Sequence, residues 1–174
     1  MKRTDFTVRF AGPADAWAVA EIHVLAWQTG YRDLLPDSLL DAMSVAGRLP
    51  RWQEWLSEPT PRTRVVEQNG TVLGWLTIGP QRDADVDPAT VAEIYALYVH
   101  PAAWRLGCGA ALMAAVLTDL AGQGYAETSL WVLRANSRAI GFYEHFGFRA
   151  DGAAKIETGA SGAVFDEIRY RRVL

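Results

Sequence analysis

Residues 101–112 read PAAWRLGCGAAL. The stretch before them, VAEIYALYVH at 91–100, is apolar and aromatic and reads as a strand that Pro101 ends. The stretch after, CGAALMAAVLTDLA at 108–121, reads as a helix. Gly107 and Gly109 therefore fall where a strand turns into a helix. The first N–H groups of a helix have no internal partners, and the aligned peptide dipoles favour an anion there. Glycines remove the side chains that would shield those amides and admit unusual φ values. The amides from Trp104 or Arg105 through Ala110 can then cradle a pyrophosphate; the competing reading is a tight corner between two packed elements. Residue identity argues against two other nucleotide turns. A P-loop needs Lys and then Ser or Thr after its second glycine, where Ala110 and Ala111 stand. A dinucleotide fingerprint needs a third glycine, where Leu112 stands, and an acid at the end of the next strand, where Val132 and Leu133 stand. Cys108 lies in the same turn, either as a thiol activated by the helix end or as a small side chain tucked beneath it.

Working outward, Phe6, Val8 and Phe10 alternate with polar residues and mark a strand over 5–10. Residues 14–28 follow a helical rhythm behind Pro13, a second helix starts at Pro36, and Pro50–Leu56 is helical. Residues 64–67 and 72–78 flank Asn69–Gly70, a strong hairpin signal. GPQRDADVDP at 79–88 is an acidic surface loop. A strand at 127–132, a helix at 136–146 closed by Gly147, and strands at 148–156 and 164–173 complete the chain. RYRR at 169–172 reads as an edge strand or an exposed strand face. The fold class is α/β (α+β): one sheet with helices on its faces, in a single domain spanning residues 1–174.

Composition narrows the function. The 174 residues are 50% hydrophobic, enough for a real core, with a formal charge of −3. Fifteen of the seventeen basic residues are arginine, and only Lys2 and Lys155 are lysines. No basic block reaches the length of a nucleic-acid tail, so no nucleic-acid partner is expected. Cys108 is the lone cysteine, and His23, His100 and His145 are scattered, so neither a disulfide framework nor a metal site is expected. No 18-residue apolar run or signal-peptide core occurs, which makes a cytoplasmic protein without a membrane partner the default. Seven tryptophans fit either a monomer core or a homodimer.

LRANSRAIGFYEHFGF at 133–148 adds a second constellation: Asn136 at an N-cap position and Tyr143 seven residues on, two turns along the same face. Together, LYVHPAAWRLGCGAALM (97–113) and NSRAIGFYEHFGF (136–148) resemble the GCN5-related N-acetyltransferase (GNAT) superfamily. HVLAWQTGYRDLLPDSLLDAM (23–43) also resembles a subgroup whose first two helices line the acceptor pocket. The likeness spans nearly the whole chain and is sharpest over 91–148. One departure stands out: where that family usually has Gln or Arg three residues before the first glycine, this sequence has Trp104, followed by Arg105.

The resemblance implies a central mixed, twisted sheet of about six to seven strands. It also implies direct acetyl transfer from acetyl-CoA to a primary amine of a small molecule or peptide, with no metal. The backbone around Leu97, Tyr98 and Val99 would bond the pantetheine arm, and an amide near Leu97 would polarise the thioester carbonyl. Arg105, Leu106, Gly107, Cys108, Gly109 and Ala110 would hold the pyrophosphate, Asn136 would bond near the pantetheine, and Arg138 would favour the phosphates. Tyr143 would protonate, or hydrogen-bond to, the departing thiolate; a phenol with its ordinary pKa near 10 is a donor at neutral pH. Glu93 is the first candidate base, because in a regular strand it shares a face with Leu97; Tyr95, His100, Asp166 and solvent are alternatives. Trp27, Tyr31 and Trp75 would line the acceptor site, and the acidic 79–88 loop would favour a positively charged acceptor. A longer acyl-CoA donor, or a non-catalytic CoA-binding regulatory or interaction module on the same fold, are the competing functions.

Overall fold

The alternation at the chain start forms strand β1 at Thr7–Phe10. In the computed structural model, which describes residues 6–159 and 161–174, β1 pairs antiparallel with β2 (Arg62–Gln68). The Asn69–Gly70 hairpin, both residues at positive φ, returns the chain as β3 (Thr71–Pro80). Antiparallel β4 (Val91–Val99) follows, then β5 (Glu127–Leu133), β6 (Arg149–Thr158) and β7 (Val164–Val173). The sheet runs β1-β2-β3-β4-β5-β7-β6, antiparallel throughout except for β4 against β5.

Helices cover both faces. Helix α4 (Cys108–Gly122) and α5 (Ser137–His145) close one core with Leu76, Ile94, Leu112, Met113, Leu130 and Phe148. Helix α1 (Ala16–Gly30) and α3 (Val45–Trp55) close the other around Trp52, Val65 and Trp75, with the short α2 (Asp37–Asp41) beside them. Helix α3 starts five residues earlier than Pro50 suggests. The Ser44 side chain accepts from the Gly47 N–H and caps an additional first turn, and the helix continues through the proline. RYRR lies on neither an edge nor an exposed face: β7 is inserted between β5 and β6, and Arg169 and Tyr170 are each 5% exposed.

Two irregularities shape the centre of the sheet. The parallel β4–β5 ladder runs only from Val91–Glu127 to Ile94–Leu130. Just there, Thr77 pairs with Ala96 but Ile78 with Ile94, so Tyr95 is an extra residue in β4. Such a bulge sharpens local twist and interrupts pairing. Beyond it the two strands part, and Ala96–Val99 and Trp131–Leu133 face each other without a ladder. Among the described residues no helix is long and apolar enough to cross a membrane, and no group of three or more His, Cys, Asp or Glu is placed to hold a metal.

Candidate active site

The parted strands open into a cavity of about 800 Å³, walled by β4, β5, the 103–110 turn and α5. One end of it is built by the turn. Gly107 sits at φ 98°, ψ 0°, a left-handed conformation that favours glycine, and caps α4. Gly109 has no such requirement; an added Cβ would make ordinary 3.5 Å contacts with Phe142. Among the described residues, no backbone oxygen accepts from the N–H of Arg105, Gly107, Cys108, Gly109 or Ala110, and all five residues line the cavity. Those around Gly107 are the unpaired donors of a helix start, groups of the kind that accept an anion. Leu106 does not share the role: its amide donates to Ala103 O at 3.4 Å and its side chain points to solvent. Cys108 is 1% exposed, and burial pushes its thiol pKa up, so it is a packed side chain rather than a thiolate.

Along β4 the backbone alternates. His100 N–H donates to Leu73 O on β3, so Tyr98 also turns its backbone toward β3, while Leu97 and Val99 turn theirs into the gap. Tyr98 therefore offers the cavity its phenol rather than its backbone; that hydroxyl lies 3.3 Å from the Tyr31 hydroxyl. Val99 O is already engaged by Trp104 Nε1 at 2.8 Å, and the Arg138 guanidinium stacks over the Trp104 ring at 4.2 Å. The residue departing from the expected Gln or Arg thus takes a place of its own, capping a strand end that has lost its partner.

Helix α5 contributes Asn136 and Tyr143. The Asn136 side chain accepts from the Ala139 N–H at 3.1 Å, which leaves its amide NH₂ for the cavity. Tyr143 is 9% exposed and lines the cavity with Tyr31. Burial, reinforced by Tyr31, raises the Tyr143 phenol well above its ordinary pKa and keeps it protonated.

Several expected positions are displaced. The bulge at Tyr95 breaks the strict alternation, so Leu97 packs in the α4 core while Ala96 and Tyr98 pack in the α1 core. Glu93 and Leu97 accordingly lie on opposite faces, and Glu93 does not line the cavity. Its carboxylate is 1% exposed and held by Arg82, through the backbone N–H and Nε to Oε2 at 3.1 Å each and Nη2 to Oε1 at 2.5 Å. His100 is a turn residue, its Nδ1 accepting from Ala102 N–H. Tyr95 donates to Pro80 O, and Asp166 pairs with Arg134. Of the three expected acceptor residues only Tyr31 lines the cavity: Trp27 packs behind it at 5.1 Å between ring centroids, and Trp75 is 1% exposed in the second core.

The acidic loop is also spent internally. Asp83 and Asp85 accept from Arg169 at 3.0 and 2.8 Å, Asp83 also from Trp131 Nε1, and Asp87 from Ala89 N–H. Asp151 completes the Arg169 shell at 2.7 Å. The loop is a clamp rather than a lure for cations. Removing one partner of a buried ionic group leaves the others uncompensated. Arg169→Leu is therefore expected to cost about 3 kcal/mol in a denaturant melt and to expose the 81–88 loop to trypsin at Arg82; an unchanged midpoint and cleavage pattern would refute the clamp. Sequence reading missed Arg169, the Tyr98 phenol and Glu167, a β7 carboxylate on the cavity wall. No local pattern announces them, because each is placed by sheet order.

A mixed seven-stranded sheet, opened between its two parallel central strands and flanked by helices, is the fold of the acyl-CoA N-acyltransferases. The sequence profile of the acetyltransferase (GNAT) family matches residues 18–148, and the chain belongs to that family. A "probable N-acetyltransferase" of Mycobacterium tuberculosis is 28% identical over 179 residues, covering 98% of this chain and 95% of the relative. Among solved structures, the GCN5-related N-acetyltransferase from Rhodopseudomonas palustris superposes with a TM-score of 0.78 at 19% identity, covering 100% and 99% of the two chains. The PaiA N-acetyltransferase from Thermoplasma acidophilum, solved with coenzyme A, gives 0.69 at 15% identity, covering 98% and 99%.

Proposed function

We propose that this chain transfers an acetyl group from acetyl-CoA directly to a primary amine of a small molecule or peptide. The observation that carries the reading is the continuity of one cavity from the unpaired amides around Gly107, past the free backbone edge of β4, to the Tyr143 hydroxyl. The residues present fit a coenzyme A: five unpaired N–H donors suit a diphosphate, with Arg105 and Arg138 at the rim adding positive charge. The solved Thermoplasma acidophilum relative, which carries coenzyme A, supports the same choice. Bound there, acetyl-CoA would supply the acetyl group as a thioester, and CoA would leave as the thiol. The Leu97 N–H faces the gap and is the donor available to a developing oxyanion. Tyr143, kept protonated by burial, donates a hydrogen bond from its hydroxyl to the departing sulfur as negative charge develops there. Asn136 orients the arm between them through its amide NH₂.

Calorimetric titration with CoA and acetyl-CoA tests the donor site. The wild type is expected to bind saturably. Gly107→Val, which forces a branched side chain into a φ of 98° and covers the amides, is expected to weaken CoA about five- to thirtyfold, the effect of losing about 1–2 kcal/mol of amide contacts. Absence of saturable binding to the wild type overturns the reading. Thiol release across a panel of primary amines tests the transfer itself; CoA binding without release on any of them favours a CoA-binding module instead.

A further inference from the structure

An acceptor amine is an ammonium ion at neutral pH and needs a counter-charge and a proton acceptor inside the cavity. Among the described residues that line it, Glu167 is the one carboxylate. It stands on β7 opposite Leu133, three residues beyond the last β4–β5 pair at Leu130, and shares the wall with Tyr31, Asn136 and Trp131. The candidate bases named from sequence are committed elsewhere, Glu93 to Arg82 and Asp166 to Arg134, and Asp83 and Asp85 of the acidic loop pair with Arg169.

The wall at Glu167 already holds a cation. Lys155 Nζ lies 3.4 Å from Glu167 Oε2, 3.0 Å from Glu157 Oε1 and 4.6 Å from the centroid of the Trp131 ring. A carboxylate beside an aromatic face is a chemistry that selects ammonium groups. The 3.4 Å contact exceeds the roughly 2.7–2.9 Å of a charge-assisted hydrogen bond, and Lys155 is closer to Glu157, so Glu167 retains capacity toward the cavity.

We infer that Glu167 binds the acceptor as an alkylammonium and takes its proton, so that this enzyme prefers cationic primary amines. The inference rests on the acyl-transfer reading above and names the acceptor class for it. In the step, one N–H bond of the ammonium breaks, its electron pair stays on nitrogen, and the proton passes to a Glu167 oxygen and then to solvent. The charged and titratable groups facing Glu167 are Lys155 and Glu157 from β6, Arg82 from the loop after β3, and Tyr31 from the end of α1. Burial raises the Glu167 carboxyl above its ordinary range, toward the pH at which a base works well, while Lys155 keeps the anion populated.

The test uses the CoA-saturated protein and n-butylammonium chloride, followed by backbone amide NMR shifts, with n-butanol as the uncharged control. Wild type is expected to respond at Leu133 and Glu167. Glu167→Gln is expected to bind n-butylammonium at least tenfold more weakly with its CoA affinity unchanged, and Lys155→Met, which removes the internal competitor, several-fold more tightly. With the best amine of the panel, Glu167→Gln is expected to lose the acid limb of the kcat/KM profile, a change that a merely structural role would not produce. Equal n-butylammonium affinity in wild type and Glu167→Gln, no wild-type response, or equal binding of n-butanol overturns the Glu167 assignment alone. Failure of the wild type to bind CoA overturns the donor site and this inference together.

Discussion

Tyr143→Phe is expected to lower kcat by about a hundredfold or more, the usual range for losing a preorganised donor to developing negative charge, while leaving the melting temperature within a few degrees. The ring belongs to the core: it packs edge-on against Phe142 and Phe148 at centroid distances of 5.6 and 5.9 Å. Phenylalanine keeps those contacts. Tyr143 lines the cavity, and among the described residues its hydroxyl makes no hydrogen bond whose loss would orphan a partner. What disappears is the hydrogen bond that the leaving thiolate needs. Single-turnover rates with acetyl-CoA and the best amine of a panel, beside a thermal melt, separate the two effects. An unchanged kcat at saturating substrates would remove Tyr143 from the chemistry; a fall in kcat matched by a large fall in Tm would make it a packing residue.

Acid is expected to unfold this protein through His23. Its ring is packed among Trp27, Trp52, Trp75 and Tyr98, stacked on the last at 5.6 Å and 9°, and its Nδ1 accepts from Trp52 Nε1–H at 3.2 Å. Burial first, and the Arg48 charge second, push its pKa down from 6.5 to about 3. A folded value below the unfolded one means that the unfolded chain binds the proton first as pH falls. The contribution is intact above 6.5, is lost progressively below it, and levels off near 3. In full it amounts to on the order of 5 kcal/mol. His23→Gln keeps an acceptor for Trp52 without a titrating ring. Its stability at pH 7 falls with the lost stacking, but its decline between pH 6.5 and 4 is expected to be shallower than the wild type's in urea melts. Parallel declines would refute the assignment.

Both residues illustrate how far local sequence carries. That Tyr143 shares the cavity wall with Asn136 follows from their spacing, because a helix fixes which residues share a face. His23 is visible in sequence only as a histidine in a helix; its neutral state depends on aromatic rings from α3, β3 and β4 that meet it in space. Glu93 marks the same boundary from the other side. Its expected place follows from strict strand alternation, and one inserted residue, Tyr95, reverses that alternation and hands the carboxylate to Arg82.

The amino-acid sequence by itself determines the parts governed by near neighbours: the glycine turn into α4, the Asn136 cap with Tyr143 two turns on, the Asn69–Gly70 hairpin, and the family these motifs define. Only the tertiary structure decides which acids reach the cavity. Strand order sets β7 beside β5 and so brings Glu167 to the wall, the bulge withdraws Glu93, and Arg169 gathers Asp83, Asp85 and Asp151 across the sheet. The physical reason is that helix and turn geometry repeat over a few residues, whereas register and strand order are settled by packing between segments far apart in the chain.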